Sequence, residues 1–257
     1  MKYSHRILAT VVAALVPAFL HADIKARGSD STLHVVKALA AAFTAETGKP
    51  VALEGGGSGA GAKAAIAGEV SLAFLSRELK DAEKQAGLVG YAYAKDGVAI
   101  IVHKDNPVAN ITVEELRDIY TGKTTAWADG KPVVAFNRNT DSGTREVFQE
   151  HVLGKEAFST KAAVKHDGVL VSSVQKIPTS IGYTSLGEAD ESKVRVLPVA
   201  GIKPSAATLK DSTYPLARTP TLATKGDAAG DEKAFIDFVL GPKGQAIVVE
   251  QGLVAIK

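Results

Sequence analysis

The stretch from Gly55 to Gly61 of this 257-residue chain, GGGSGAG, has the composition of an anion-binding loop. Its glycines let backbone N–H groups approach a ligand closely and allow positive φ angles. The apolar run Val51 to Leu53 precedes the loop, and a small-residue helix pattern from Ala62 to Ala67 follows it. A helix N-terminus presents unpaired N–H groups and a positive dipole end, and Ser58 adds a hydroxyl that either caps the helix or faces the ligand.

Two further stretches repeat the arrangement of strand, small polar turn and helix. In one, Ile24 to Arg27 leads through the turn Gly28 to Thr32 into a helix pattern that ends at Gly48. In the other, Val133 to Phe136 leads through the turn Asn137 to Thr144 into a second helix pattern. The chain therefore has three candidate anion-binding turns.

These turns offer hydroxyl groups at three helix starts, from Thr32, Ser58 and Ser142. In an open α/β sheet such turns gather at the carboxyl ends of the strands, where ligands bind. Arg138, four residues before Ser142, adds a full positive charge that can pair with two oxygens of one ligand. A lone Ser or Thr before a helix is usually only a cap, so the prediction of a small oxyanion site rests on their joint occurrence.

The elements that must position these turns alternate along the chain. The capping box from Thr112 to Glu115 starts one helix, and Asp231 is expected to cap another. The segment Tyr214 to Thr224 contains two prolines and is expected to cross in extended form between two lobes. Other strand patterns lie at Val70 to Leu75, Val98 to Val102, Ser180 to Ser185 and Arg195 to Val199. Strands alternating with helices predict an α/β protein.

Residues 1–22 have the features of a secretory signal peptide. Lys2 and Arg6 form a positive n-region, Ile7 to Leu20 is apolar, and Ala22 provides a small residue before the expected cut. Without Lys2 and Arg6 the formal net charge falls from +2 to zero, so nothing indicates nucleic acid or an anionic membrane as a partner. The chain has no cysteine, which excludes disulfides, thiolate metal sites and thiol nucleophiles.

Enzyme motifs are weak in this sequence. The spacing Gly55-x-Gly57-x-x-Ala60 imitates a dinucleotide fingerprint, yet an exported chain meets little nicotinamide cofactor. Gly122-Lys123-Thr124 resembles the end of a P-loop, but the required earlier glycine is Arg117. The histidines lack metal-ligand spacing, and no serine sits in a nucleophile elbow. We therefore predict a protein that is not an enzyme and uses no cofactor or metal.

Taken in order, the motifs of the mature chain resemble those of one family. They are Gly28-Ser29-Asp30-Ser31-Thr32-Leu33, the glycine loop through Ser58, Leu75-Ser76-Arg77-Glu78-Leu79-Lys80, Asp96 to Val102, Ile119 to Lys123 with Trp127, Arg138-x-x-x-Ser142-Gly143-Thr144, and Ile181-Gly182-Tyr183. Their order is similar to that in the periplasmic phosphate-binding proteins, the substrate-binding components of the high-affinity phosphate ABC transporter.

The resemblance implies a type II periplasmic binding fold, in which two α/β lobes joined by hinge strands close on a dehydrated phosphate. We expect residues 23–95 and 206–257 in lobe 1 and residues 96–205 in lobe 2. By motif, the phosphate contacts would come from Thr32, Leu33, Ser58, Arg138, Ser142, Gly143 and Thr144. The resemblance also implies a monomer that delivers phosphate to an ABC permease from the periplasm. No run of about 18 apolar residues follows Leu20, so we expect no membrane insertion.

One position departs from the family pattern. Ser76 stands where well-known members carry an aspartate that accepts the phosphate proton and thereby rejects sulfate. Serine both donates and accepts, so Asp30, Asp96 or Asp141 is a candidate for the acceptor role. Arg77 either adds a second charge at the anion or pairs with a nearby carboxylate.

The alternatives to a phosphate receptor are two. One is a receptor for another tetrahedral oxyanion such as sulfate or molybdate. The other is a secreted phosphate-ester hydrolase or adhesion protein on the same scaffold.

Overall fold

The computed structural model describes residues 24–165 and 167–256, so the predicted signal peptide lies outside the described residues. The strands are β1 (Ile24–Gly28), β2 (Val51–Glu54), β3 (Leu72–Leu75), β4 (Leu88–Ala92), β5 (Ala94–His103), β6 (Val134–Arg138), β7 (Ala163–Lys165), β8 (Ser180–Ser185), β9 (Val194–Leu197), β10 (Ala217–Arg218), β11 (Thr221–Lys225) and β12 (Val254–Ala255). The helices are α1 (Leu33–Thr47), α2 (Ser58–Ala67), α3 (Asp81–Gln85), α4 (Val113–Thr121), α5 (Gly143–Phe148), α6 (Asp167–Gln175), α7 (Ala206–Lys210), α8 (Gly230–Leu240) and α9 (Pro242–Glu250). This alternation confirms the α/β prediction.

The first sheet has the strand order β2-β1-β3-β11-β4. β1 runs parallel to β2, with Ile24 opposite Val51, and parallel to β3, so the carboxyl ends of these strands share one edge. Strand β11 runs antiparallel to both β3 and β4. In the core of this half, Phe43 packs edge-on against Phe235 and Phe238 with ring centroids 5.2 and 5.7 Å away, which joins α1 to α8.

The second sheet has the order β10-β5-β8-β6-β7, and β9 and β12 also pair with β5. β6 runs parallel to β8, with Val134 opposite Ser180, so the two strands end at the same edge. Its core holds Phe148 from α5 stacked on Tyr183 from β8, with ring centroids 4.2 Å apart. This stacking fixes the helix that follows the third predicted turn against the centre of the sheet.

Three segments connect the sheets within the described residues: two adjacent ones, and the residues just before β12, which pairs with β5. The chain passes from the first sheet to the second at Tyr93 and returns at Thr219 and Pro220. Tyr93 is fully buried, and its N–H donates to the carbonyl of Pro220 at 3.1 Å. The extended crossing predicted between Tyr214 and Thr224 is thus present.

The lobe boundaries predicted after residues 95 and 205 stay predictions. Leu209, Tyr214 and Leu216 pack in the core of the second sheet, which favours a return to the first sheet only after Arg218.

The two predicted helix caps have different outcomes. The capping box at Thr112 is confirmed, because its hydroxyl accepts the N–H of Glu115 at 3.1 Å. The predicted cap at Asp231 is wrong, since α8 begins at Gly230 with Ala229 as its N-cap, two residues before the predicted position. Asp231 instead pairs with Lys49 at the end of α1, a long-range contact that local sequence does not reveal.

Candidate functional site

The first turn joins β1 to α1 through a 3-10 turn at Asp30–Thr32. Thr32 is fully buried, and its hydroxyl caps no helix N–H. This hydroxyl lies beside that of Tyr93, and neither oxygen forms a hydrogen bond of normal geometry with another described residue. The N–H of Leu33, a predicted anion donor, donates to the carbonyl of Asp30 inside the turn. The turn therefore presents the Thr32 hydroxyl, while the Leu33 amide has a partner.

The glycine loop joins β2 to α2. Gly57 has a φ of +105°, which glycine adopts without strain, and an added Cβ would lie 2.2 Å from the carbonyl oxygen of Asp141 in the other half of the molecule. Gly57 is also the N-cap of α2, so the fully buried Ser58 side chain is not the cap. The loop is fixed by Asp30, whose carboxylate accepts the N–H of Gly56 at 2.9 Å.

The third turn leads from β6 into α5. Ser142 is the N-cap of α5 and accepts the N–H of Arg145 at 3.3 Å. The next residue, Gly143, lies directly against the second turn. A Cβ there would lie 2.2 Å from the Ser58 Oγ and 2.5 Å from the Ser76 Oγ, so only glycine fits between the two halves.

The structure brings the three turns together at one place. The hydroxyl of Ser31 in the first turn is hydrogen bonded to that of Thr144 in the third at 2.8 Å. The N–H of Gly59 at the second turn donates to the carbonyl of Asp141 in the third at 3.3 Å. The two halves of the molecule are therefore in direct contact around the turns.

Arg138 ends β6 at this meeting point and is 2% exposed. Burial lowers its pKa to about 10, and the charge of Glu188 opposes that decrease most strongly. With this pKa the guanidinium stays positively charged at neutral pH. Asn137 accepts the backbone N–H of Arg138 at 2.8 Å and also accepts the Tyr183 hydroxyl, which fixes the strand end. A fixed buried cation among hydroxyls and helix N-termini suits an anion.

Arg218 reaches the same place from the crossing segment. Its Nε and Nη2 donate to one carboxylate oxygen of Asp96 at 2.9 and 2.6 Å, and its Nη1 donates to the Thr144 hydroxyl at 2.7 Å. Asp96 also accepts from Ser185 and from the N–H of Gly97. Both charged side chains are almost wholly buried. Asp96, a candidate proton acceptor, is thus held in a hinge ion pair, and no sequence motif marks Arg218 as its partner.

Arg77 pairs with carboxylates rather than facing the turns. Its Nη1 and Nη2 each donate to the carboxylate of Glu83 at 2.8 Å, and its Nε donates to Glu146. Burial alone would lower the pKa of Arg77, but its hydrogen bond to Glu83 and the charge of Glu146 more than offset this effect, so the pKa is raised. Of the two roles considered for Arg77, the structure favours the ion pair.

Ser76 is fully buried beside Ser58. The two hydroxyl oxygens lie 3.3 Å apart, and the Ser76 N–H donates to the Ser58 Oγ at 3.1 Å. Asp30 is used by the glycine loop, and the Asp141 side chain is 45% exposed near Lys63. Each of the three aspartates considered as the proton acceptor thus has another partner or lies partly in solvent.

Glu188 is a further carboxylate near the site. It follows β8, accepts the Thr184 hydroxyl at 2.9 Å, and interacts electrostatically with Arg138 and Arg218. Burial raises the pKa of Glu188 to about 7, since it disfavours the charged form. Sequence reasoning missed this residue, because a carboxylate three residues beyond a strand gives no indication that it turns back toward a neighbouring arginine.

We searched the described ranges, 24–165 and 167–256, for metal sites and for membrane-spanning helices. No group of three or more His, Asp or Glu side chains in them is placed to hold a metal ion. No helix in them is long and apolar enough to cross a membrane.

Two α/β units joined by adjacent crossing segments, with polar turns from both units around a buried arginine, define a solute-binding protein that closes on a small anion. The comparisons with known proteins agree with this class. The family model for the PBP superfamily domain matches residues 16–243. The phosphate-binding protein PstS of Staphylococcus haemolyticus is 31% identical over 252 residues, covering 88% of this chain and 79% of the relative. PstS of Bacillus subtilis is 29% identical, covering 89% and 79%.

Solved structures give the same result. A phosphate ABC transporter substrate-binding protein with bound phosphate from Clostridium perfringens superposes with a TM-score of 0.86 and 34% identity, covering 91% of this chain and 99% of that one. An ABC-type phosphate transport receptor from Vibrio cholerae superposes with a TM-score of 0.79 and 29% identity, covering 90% and 99%. The chain belongs to the PstS family of phosphate-binding proteins within the PBP superfamily. The predicted type II periplasmic binding fold and the predicted family are both confirmed.

Proposed function

We propose that this protein captures inorganic phosphate between its two lobes and delivers it to the permease of an ABC transporter, without catalysing a reaction. It would act as a monomer in the periplasm after removal of residues 1–22, with lobe 2 running from about residue 96 to the crossing segment. Its family membership supports this proposal, because the Clostridium perfringens structure holds phosphate and carries the name of a substrate-binding protein.

The observation that carries the proposal is that three helix-start turns meet, with the buried Arg138 at the end of the strand that leads into the third turn. Thr32 lies there with a buried hydroxyl that forms no regular hydrogen bond within the described residues. Leaving a buried hydroxyl unsatisfied costs about 1–3 kcal/mol, and an anion oxygen would remove that cost. Fixed donors and one cation, organised before the ligand arrives, favour tight binding of a dehydrated tetrahedral anion.

The proposed contacts come from both lobes, so phosphate would favour the closed arrangement by bridging them. They are Thr32, Ser58, Ser76, Arg138, Ser142, Gly143 and Thr144. We leave Leu33 and Arg77 out of this set, because the Leu33 N–H and the Arg77 guanidinium have other partners in the closed arrangement. Thr144 belongs to the set through its backbone N–H, since its hydroxyl is bonded to Ser31 and Arg218.

Sulfate or molybdate is the alternative ligand. Ser76 is the observation that favours it, because serine can donate to a fully ionised anion as well as accept from a protonated one. Titration calorimetry of the mature protein, stripped of ligand, with phosphate and then sulfate tests both. We expect tight binding of phosphate and no measurable heat of binding when sulfate is added. Equal binding of both would support a relaxed oxyanion receptor, and binding of neither would refute the proposal.

A hydrolase on this scaffold would need a metal site or an activated nucleophile. The proposal predicts no turnover of a chromogenic phosphate ester. Turnover that disappears in the Arg138→Ala variant would overturn the assignment as a non-enzyme.

A further inference from the structure

A cluster of four charged side chains crosses between the lobes beside the anion site. We call Arg77, Lys80, Glu83 and Glu146 the cross-lobe ion cluster. Glu146 lies on α5 in the second lobe, whereas the other three follow β3 in the first. The side chains of Arg77, Glu83 and Glu146 are only 6%, 12% and 18% exposed, whereas Lys80 is 52% exposed, so the cluster has a shielded centre and one cation open to solvent.

The first lobe holds Arg77 in place without help from the second. Two of its nitrogens donate to Glu83 at 2.8 Å, and Nη1 also donates to the carbonyl of Glu78 at 2.9 Å. Glu83 in turn accepts the backbone N–H of Lys80 at 2.8 Å. The guanidinium is thus oriented with its Nε toward the other lobe, where it donates to Glu146.

Glu146 receives a second cation from the first lobe. Lys80 Nζ donates to Glu146 Oε1 at 2.8 Å, while Arg77 donates to Oε2, so each carboxylate oxygen has its own partner. Separating the lobes would leave Arg77 paired with Glu83 but would remove both cations from Glu146. The energy of these two contacts is therefore gained on closure only.

We propose that Glu146 is a positioning residue for phosphate capture, which stabilises the closed form through Arg77 and Lys80 without touching the anion. The inference rests on the proposed function, since closure around phosphate is what Glu146 would assist. Glu146 lies two residues after Thr144, so the cluster and the anion site share the start of α5 and close together.

The test compares Glu146→Gln with the matched control Glu150→Gln. Glu150 is an exposed carboxylate on the next helical turn, so both variants remove one negative charge from the same region. We expect phosphate affinity to fall about tenfold in Glu146→Gln, a loss that lies between those typical of breaking an exposed and a buried ion pair. Most of this loss should come from a faster rate of phosphate release. Glu150→Gln should bind like the wild type. Raising the KCl concentration should weaken binding more in the wild type than in Glu146→Gln.

The stability of the ligand-free protein distinguishes a role of Glu146 in lobe closure from a role in folding. The melting temperature of ligand-free Glu146→Gln should lie within about 1 °C of the wild-type value, because only a minor closed fraction of the ligand-free protein contains the contact. Unchanged affinity in Glu146→Gln would refute the inference, as would an equal loss in the Glu150→Gln control.

A second measurement does not need phosphate. Because the chain has no cysteine, nitroxide labels can be attached at Lys37→Cys and Lys155→Cys, exposed positions in different lobes. The distance distribution between the labels should shift toward longer, open values in Glu146→Gln. Failure of the wild-type protein to bind phosphate would refute the proposed function. A distance distribution in Glu146→Gln that equals the wild-type one would instead refute the role of Glu146 in closure.

Discussion

Replacing Gly143 by alanine should prevent full closure while leaving each lobe intact. The added Cβ would lie 2.2 Å from Ser58 Oγ, 2.5 Å from Ser76 Oγ and 2.8 Å from Ser58 Cβ. These distances are about 1 Å or more below van der Waals contact, and the atoms belong to buried side chains with little freedom to move. Overpacking of this kind costs about 1–3 kcal/mol, which corresponds to roughly a 5- to 150-fold loss of phosphate affinity.

Calorimetric titration with phosphate measures this loss, and Gly59→Ala is the matched control. Gly59 also lies where the lobes meet, but a Cβ there would come no closer than 3.6 Å to another atom, which is ordinary contact. The control should bind phosphate as the wild type does. Ligand-free Gly143→Ala should melt at the wild-type temperature, because the clash exists only when the lobes are closed. Affinity within threefold of wild type would refute the packing argument.

Two predictions concern the charged groups near the site. Asp96→Asn breaks a side-chain pair that is almost wholly buried, so we expect the free energy of unfolding to fall by about 3–5 kcal/mol and the melting temperature to fall by roughly 10 °C in calorimetry. The same change at Asp118, whose side chain is 36% exposed, should have little effect. Burial raises the pKa of Glu188 to about 7, so the folded chain binds the carboxyl proton more tightly than the unfolded chain does. The free energy of unfolding should therefore fall as pH rises from about 4.5 to 7. The decrease should be at most about 3 kcal/mol, and solvent screening makes it smaller. Urea unfolding of the ligand-free wild type should show this decrease, and the Glu188→Gln variant should show a smaller one. Identical pH profiles of the two proteins would contradict the raised pKa of Glu188.

The three turns could be predicted because their signals are local. A strand pattern, a small polar turn and a helix pattern lie within a few residues of one another, and sheet geometry then places Thr32, Ser58 and Ser142 at strand ends. Arg138 follows from the same logic, since it closes the strand before the third turn.

The partners of charged side chains could not be predicted in this way. Asp96 and Arg218 are distant in sequence and meet through the antiparallel register of β5 and β10, which places Arg218 opposite Asp96. The two carboxylates that bind Arg77 lie on different lobes, so its role depends on how the lobes meet. The partner of the Leu33 amide could not be foreseen either, because the 3-10 turn before α1 supplies the carbonyl of Asp30 for it.

The position of β11 in the first sheet has a consequence for the order in which the protein is made. β11 lies between β3 and β4, although it follows them by more than a hundred residues. An N-terminal nascent chain therefore has β1 to β4 but lacks the strand that joins β3 to β4, and α8, which contributes Phe235 to the same core, comes later still. Contacts so distant in sequence form slowly, because loop closure must precede them. The half of the molecule that is synthesised first is therefore completed last, because its sheet and core wait for β11 and α8 near the C-terminus.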